Sequence, residues 1–119
     1  MLEKNKPIYF ERNIRNIIAI AKNWGTEVVI SSFAYSPLFT EQPRVSSEEY
    51  ISALEENNRL LRTIAEDMEV YFFDFASKFP TDKRYYEDGR HVNENGARLN
   101  AKLFGDFIIE KPLIPSTEN

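Results

Sequence analysis

The feature that most constrains the fold is an alternation along the chain between long segments with helical periodicity and short runs of β-branched or aromatic residues. In the first helical segment apolar residues recur at three- and four-residue steps, which predicts one apolar face on a helix that ends near Gly25. This face consists of Ile14, Ile17, Ile18, Ala21 and Trp24. Ser46 and Glu49 form a capping box that predicts a second helix, ending near Met68. A helix cap at Asn93 or Asn95 predicts a third helix.

Two short runs between these helices are the candidate strands. Residues 27–32 contain Val28, Val29 and Ile30 without polar alternation, which is typical of a parallel strand covered on both faces. Residues 70–75 are rich in aromatic side chains, which strands favour. The order helix, strand, helix, strand, helix needs crossover connections. We therefore expect an α/β architecture with a parallel sheet layered by helices.

A sheet of two strands is too narrow to cover the apolar faces of three helices, and it leaves a strand edge unpaired. The missing cover could be an N-terminal half, a second copy of the chain or a third strand. For the chain as given we expect a homodimer through the uncovered sheet edge.

Composition limits the classes of function. The 119 residues fit one domain, which we place at residues 1–112, followed by a disordered tail at 113–119. The net charge of −4 lacks the basic excess of nucleic-acid-binding proteins. No apolar stretch approaches the ~20 residues of a membrane span, and the absence of cysteine is compatible with the cytoplasm, which is our expectation.

One pair of residues could carry acid–base chemistry. The single histidine, His91, follows Asp88 by three residues, and Gly89 between them permits a tight turn. In serine hydrolases a carboxylate orients an imidazole, whose other ring nitrogen accepts the proton of the nucleophile. The segment follows the second strand, at the edge where open α/β sheets place their sites. The alternative is that Asp88 and Gly89 only form a turn, with Asn93 as a cap and His91 an incidental surface residue.

The segment DGRHVNENGA at residues 88–97 leads into an apolar helix at the end of an α/β pattern. This combination resembles the last conserved block of SGNH (GDSL-type) ester hydrolases, and the wider resemblance covers roughly residues 9–109. It implies a flavodoxin-like three-layer fold, of which this chain would be an incomplete, C-terminal half. It also implies an acyl-ester substrate and no metal or other cofactor, with His91 as general base and Asp88 as its orienting carboxylate.

The sequence departs from that family at the nucleophile. The family's Gly-Asp-Ser block has no match, and neither do the Gly and Gly-x-Asn-Asp segments that complete its oxyanion hole. The nucleophile is therefore unknown, and we expect weak or no activity of the chain alone. Ser31, Ser32 and Ser36 follow the first strand and are conceivable substitutes. They lack a strained, Gly-flanked turn, however, and serine at a strand end more often satisfies backbone groups.

Other polar and aromatic residues near the pair have less specific interpretations. Tyr85 and Tyr86 could form one wall of a substrate-binding pocket, or they could anchor the loop to the core. Asp74 could join Asp88 in a carboxylate pair, although such residues more often cap or turn the chain. No spacing typical of zinc or calcium sites is present.

Two functions compete with ester hydrolysis. One is a non-catalytic α/β module for self-association or protein binding. The other is a small-ligand binder that uses the loop at 33–45 and the two tyrosines.

Overall fold

The protein is described by a computed structural model that covers residues 7–38 and 47–111. Its elements in chain order are α1 (Ile8–Asn23), β1 (Val29–Ser31), α2 (Ser47–Met68), β2 (Tyr71–Phe73), α3 (Phe75–Lys78), a 3₁₀ turn (Lys83–Tyr85) and α4 (Glu94–Glu110). The predicted alternation of three long helices with two strands is confirmed. The short helix α3 and the 3₁₀ turn were not predicted. The Ser46 cap and the tail at 113–119 lie outside the described residues.

The two strands form a parallel sheet, as predicted, in which Val29 lies opposite Tyr71 and Ser31 opposite Phe73. Both strands are shorter than the sequence suggested. The second ends because the chain turns into α3, where the backbone N–H of Ala76 donates to the Ser32 hydroxyl at 2.8 Å. This bond ties the carboxyl ends of the two strands together.

Helices cover both faces of the sheet, which gives three layers. On one face α1 and α2 enclose an aliphatic core of Ile18, Ile30, Leu61, Ile64 and Ala65. On the other face α4 and the segment after β2 enclose an aromatic core of Phe73, Phe75, Phe79, Tyr86 and Phe107. The rings of Phe73 and Phe107 stack with centroids 4.5 Å apart. The architecture is thus α/β with an incomplete sheet.

The apolar face predicted for α1 is only partly buried in the structure. Ile14 and Ile18 pack into the aliphatic core, but Ile17 is 61% exposed and Trp24 is 80% exposed. Trp24 lies beyond the last helical residue as the C-cap, and Ile17 lies on the flank of α1 that borders the open edge of β1. The apolar face of α1 is wider than a two-stranded sheet can cover. Among the described residues, no helix is long and apolar enough to cross a membrane.

Candidate active site

The turn that carries Asp88 and His91 is held at both ends by backbone hydrogen bonds. Tyr86 and Val92 form an antiparallel bridge, and the N–H of Glu87 donates to the carbonyl of His91 at 2.7 Å. From the other strand end, the N–H of Ser36 donates to the carbonyl of Gly89 at 3.0 Å. The loops that follow β1 and β2 are therefore connected to each other at this turn.

Asn93 fixes the turn to helix α4. Its side-chain oxygen accepts from the N–H of Gly96 at 3.0 Å, and its side-chain nitrogen donates to the carbonyl of Arg84 at 2.8 Å. The predicted cap at Asn93 is therefore confirmed, rather than Asn95, which lies inside α4. The same residue begins the helix and positions the segment that precedes it.

Asp88 and His91 are in direct contact. The Nδ1 atom of His91 lies 3.0 Å from Oδ1 and 2.9 Å from Oδ2 of Asp88. The Oδ1 atom also accepts hydrogen bonds from the backbone N–H groups of Arg90 and His91, each at 2.8 Å. The Arg90 N–H, the His91 ring and the His91 N–H, in that order of effect, lower the pKa of Asp88 from 3.8 to about 2.

The ionised carboxylate determines which ring nitrogen of His91 is available for chemistry. At neutral pH Asp88 can only accept hydrogen bonds, so the proton of a neutral imidazole belongs on Nδ1. The Nε2 atom is then an acceptor with a free lone pair. The side chain of His91 is 66% exposed, so this nitrogen is accessible.

His91 lines a cleft of about 390 Å³ at the carboxyl ends of both strands. The walls are the residues that end or follow β1, the start of α3, the His91 turn and one side of α4: Ser31, Ser32, Phe33, Ala34, Phe75, Arg90, Val92, Asn100 and Phe104. A basic nitrogen therefore lies beside a mainly apolar cavity large enough for a small acyl group.

The three candidate serines have different surroundings. Ser32 is buried, donates to Asp74 at 2.9 Å and accepts from Ala76. Ser36 is buried and donates to the carbonyl of Thr81 at 2.6 Å. Only Ser31 lines the cleft with no side-chain hydrogen bond to another described residue. Two of the three serines therefore have the structural role that serine at a strand end commonly has.

The two tyrosines and Asp74 are not among the residues that line the His91 cleft. Tyr86 is 4% exposed and packs edge-on against Phe79, and burial raises the pKa of its phenol to about 12. Tyr85 is half-buried against the same ring. Asp74 bonds Ser32 and pairs with Arg62 at 2.9 Å. The placement of the tyrosines favours anchoring of the loop over contact with a substrate in that cleft. Among the described residues, the Asp74 carboxylate has hydrogen bonds with Ser32 and Arg62 and none with Asp88 or His91.

Sequence reasoning missed five cleft residues, namely Phe75, Arg90, Val92, Asn100 and Phe104. Asn100 and Phe104 are four residues apart on α4, so they share a face, and a polar residue on an otherwise apolar face was a signal that could have been used. Within residues 7–38 and 47–111 there is no group of three or more acidic, histidine or cysteine side chains that could hold a metal ion.

No protein-family model matches the sequence, and no curated protein matches it significantly. Two solved structures, however, are similar to this chain in fold. A GDSL-like lipase from Bacteroides thetaiotaomicron VPI-5482 superposes with a TM-score of 0.70 at 18% identity, over 88% of this chain and 53% of the lipase chain. The esterase domain of the ORF1 protein of the zebrafish ZfL2-1 retrotransposon superposes with a TM-score of 0.69 at 18% identity, over 88% of this chain and 64% of that domain.

The chain has a partial GDSL-like (SGNH-like) fold. It spans between about half and two thirds of the length of these two structures. The fold that the DGRHVNENGA segment implied is therefore confirmed, including its incompleteness. At 18% identity the likeness establishes the fold and not the activity.

Proposed function

We propose that this chain carries the acid–base half of a serine-type ester hydrolase site, with His91 as general base and Asp88 as its orienting carboxylate. The observation that carries the proposal is the Asp88–His91 contact at 2.9 to 3.0 Å beside a cleft at the carboxyl ends of both strands. The GDSL-like lipase and the esterase domain that share the fold support the same class of reaction.

In the proposed step His91 carries one proton from the nucleophile to the departing alcohol while the nucleophile attacks an acyl ester. A hydroxyl group in the cleft attacks the ester carbonyl, and its proton passes to Nε2 of His91. Asp88 stabilises the imidazolium that results, because its ionised carboxylate accepts from Nδ1. The imidazolium then returns the proton to the departing alcohol, so that the pair ends in its starting state. Where the nucleophile is a serine, a water molecule that gives its proton to Nε2 then attacks the acyl group, which leaves as the acid as the serine takes the proton back.

This proposal has two candidates for the nucleophile. Ser31 is the candidate within the described residues, because it lines the cleft and its hydroxyl has no other described partner. A water molecule activated directly by His91 is the alternative. Because the oxyanion-hole segments of the family have no counterpart in the sequence, we expect slow turnover by the isolated chain.

The cleft indicates the chemistry of the substrate. Phe75, Val92 and Phe104 line it and would contact an apolar acyl group. Tyr85 and Tyr86, which the sequence suggested for this role, would act by holding the aromatic core behind the His91 turn. We therefore propose short acyl esters as the substrate class.

The test is hydrolysis of p-nitrophenyl acetate and butyrate by the wild type and by His91→Ala. We expect slow hydrolysis above the buffer rate. In the variant the rate should fall about a hundredfold, the lower end of general-base effects, or to the buffer rate. Arg98→Ala is the control, since Arg98 is exposed on α4 and pairs only with Glu94 among the described residues. A His91→Ala protein that is folded by circular dichroism and hydrolyses at the wild-type rate would contradict the proposal.

Ser31→Ala separates the two nucleophiles. If Ser31 attacks, the variant loses the reaction and the wild type acquires one acyl group, detected by mass spectrometry after rapid acid quenching. If water attacks, the variant keeps the wild-type rate and no acyl group is found.

The second candidate function is a non-catalytic module for self-association or protein binding, including a homodimer through the sheet edge. A specific observation favours it: the outer edge of β1 is open and is bordered by exposed apolar side chains. This function does not require Asp88 or His91, so the hydrolysis assay distinguishes the two.

A further inference from the structure

The outer edge of β1 has unpaired backbone groups in a defined pattern. In the observed register the even-numbered residues bond to β2, as in the bonds from Tyr71 N–H to Val28 carbonyl at 3.2 Å and from Ser32 N–H to Phe73 carbonyl at 3.1 Å. The N–H and C=O groups of Val29 and Ser31 therefore point away from β2. None of these four groups bonds to another described residue.

The side chain of Asn58 ends this open stretch. Its carbonyl oxygen accepts from the N–H of Phe33 at 2.7 Å, and its nitrogen donates to the Phe33 carbonyl at 3.0 Å. A side-chain amide thus takes the position that a neighbouring strand would occupy. Because Phe33 is satisfied, the unpaired segment is limited to Val29 through Ser31.

The surroundings of the open edge are apolar and uncharged. An elongated groove of about 430 Å³ follows β1 between α1 and α2, and none of its lining residues carries a charge. Ile17 lines the groove, and Ile20 and Trp24 continue the same flank of α1 with 63% and 80% exposure. Isolated exposed apolar residues are common, but a contiguous strip beside an open strand edge marks an interaction surface.

The opposite edge of the sheet is different. By the same register only Phe72 in β2 directs its backbone groups outward. The guanidinium of Arg62 lies 4.6 Å from the centre of the Phe72 ring. A charged side chain is one of the features by which proteins protect an edge strand, so the β1 edge is the better docking surface.

We propose that a second copy of this chain pairs with β1 in antiparallel orientation about a two-fold axis at Ile30. The four open groups are self-complementary in this arrangement. Val29 exchanges two hydrogen bonds with the partner's Ser31, and Ser31 exchanges two with the partner's Val29, while the two Ile30 residues face each other as a non-bonded pair. The pairing satisfies all four groups and produces a continuous sheet of four strands.

The helices agree with this symmetry. A two-fold axis perpendicular to the sheet keeps corresponding faces on the same side, so α1 of each copy lies beside α1 of the other. The exposed strip of Ile17, Ile20 and Trp24 is then covered. Because the groove carries no charge, the net charge of −4 on each copy causes no close repulsion there.

Sedimentation velocity and hydrogen exchange on the full chain test this proposal, which does not rest on the proposed enzymatic function. We expect a monomer–dimer equilibrium within concentrations up to about 100 μM, a range that detects micromolar association. The amides of Val29 and Ser31 should exchange about tenfold or more slowly at the highest concentration than at the lowest. A monomer throughout, or a dimer in which these two amides exchange at the same rate at all concentrations, would overturn the proposal.

A pair of variants on one helix provides the control. Ile17→Glu places a charge in the interface, and we expect it to weaken association about tenfold or more. Ile8→Glu adds the same charge to α1 at a residue with nearly the same exposure, 64%, on the side away from the groove. It should associate like the wild type. Equal effects of the two variants, or binding only to a different polypeptide, would also overturn the proposal.

Discussion

At the residue scale, the Asp88 carboxylate is the group whose properties depend most on the local fold. Two backbone N–H groups and the His91 ring converge on it, and its pKa falls from 3.8 to about 2. Two consecutive residues of one tight turn, Arg90 and His91, supply these donors. A one-residue change in the length of the turn would therefore remove the contact between the carboxylate and the imidazole.

This pKa predicts how the stability of the protein depends on pH. A carboxyl group with a lowered folded-state pKa stabilises the fold when it is ionised, so its contribution is complete above the unfolded value near 3.8 and is lost as the pH falls toward 2. We expect Asp88→Asn to be less stable than the wild type at pH 6 and to approach it near pH 2. Urea denaturation at a series of pH values measures this difference.

Asp106→Asn is the control for that series. Asp106 is an exposed carboxylate on α4 that pairs with Lys102 and has no backbone donor among the described contacts. If Asp88→Asn follows the same pH dependence as Asp106→Asn, the backbone bonds to Asp88 have no energetic effect.

The pair itself could be predicted from the sequence, because only three residues separate Asp88 from His91. The remaining cleft residues were harder to predict. Phe75 and Phe104 come from distant segments, and their proximity depends on how α4 packs against β2. Tertiary packing of that kind is not encoded in local spacing, so the tyrosines next to Asp88 in sequence were a misleading guide to the walls of the cleft.

At the element scale, the close approach of α4 to the preceding loop positions the site. Gly96 is buried in the first turn of α4, and a Cβ there would overlap the carbonyl oxygen of Tyr85 and lie 2.7 Å from Cβ of Val92. Since the first of these is a backbone atom, the loop would have to move. The loop that would move is the one that presents His91.

Gly96→Ala should therefore destabilise the protein by about 1–3 kcal/mol, the usual effect of overpacking, although alanine favours helices. Gly105→Ala is the matched control on the same helix, since a Cβ there has no neighbour within 4 Å. It should stabilise the protein by about 0.5–1 kcal/mol. Thermal denaturation of both variants measures the difference, and equal shifts would contradict the close packing of α4.

The helices could be predicted from the spacing of their apolar residues, but the burial of those residues could be predicted only in part. On α2 and α4 the periodic apolar residues include core residues, namely Leu61, Ile64 and Phe107. On α1 the pattern predicted the helix correctly, but Ile17 and Trp24, which it placed on the same apolar face as the buried Ile18, are exposed. Periodicity identifies an apolar face, but it does not reveal how many strands are present to cover it.

At the scale of the whole molecule, the incomplete sheet connects the fold, the site and the proposed dimer. In the described part of the chain the sheet has two strands, and the chain spans 53% and 64% of the two similar structures. The cleft with His91 adjoins the outer edge of β1 through Ser31 and Phe33. The contact between Asp88 and His91 lies entirely within this partial fold. The outer edge of β1 beside the cleft can pair with a second polypeptide. Pairing there would place residues of that polypeptide next to the cleft.

We infer from the geometry of the turn that Asp88 holds His91 with its proton on Nδ1 and leaves Nε2 free as a base. Long-range ¹H–¹⁵N correlation NMR tests it directly, because His91 is the only histidine and its ring signals need no assignment. With the ring in its neutral form, we predict a pyrrole-type Nδ1 and a pyridine-type Nε2, with this preference lost in Asp88→Asn. A wild-type spectrum with the neutral proton on Nε2 would contradict the account.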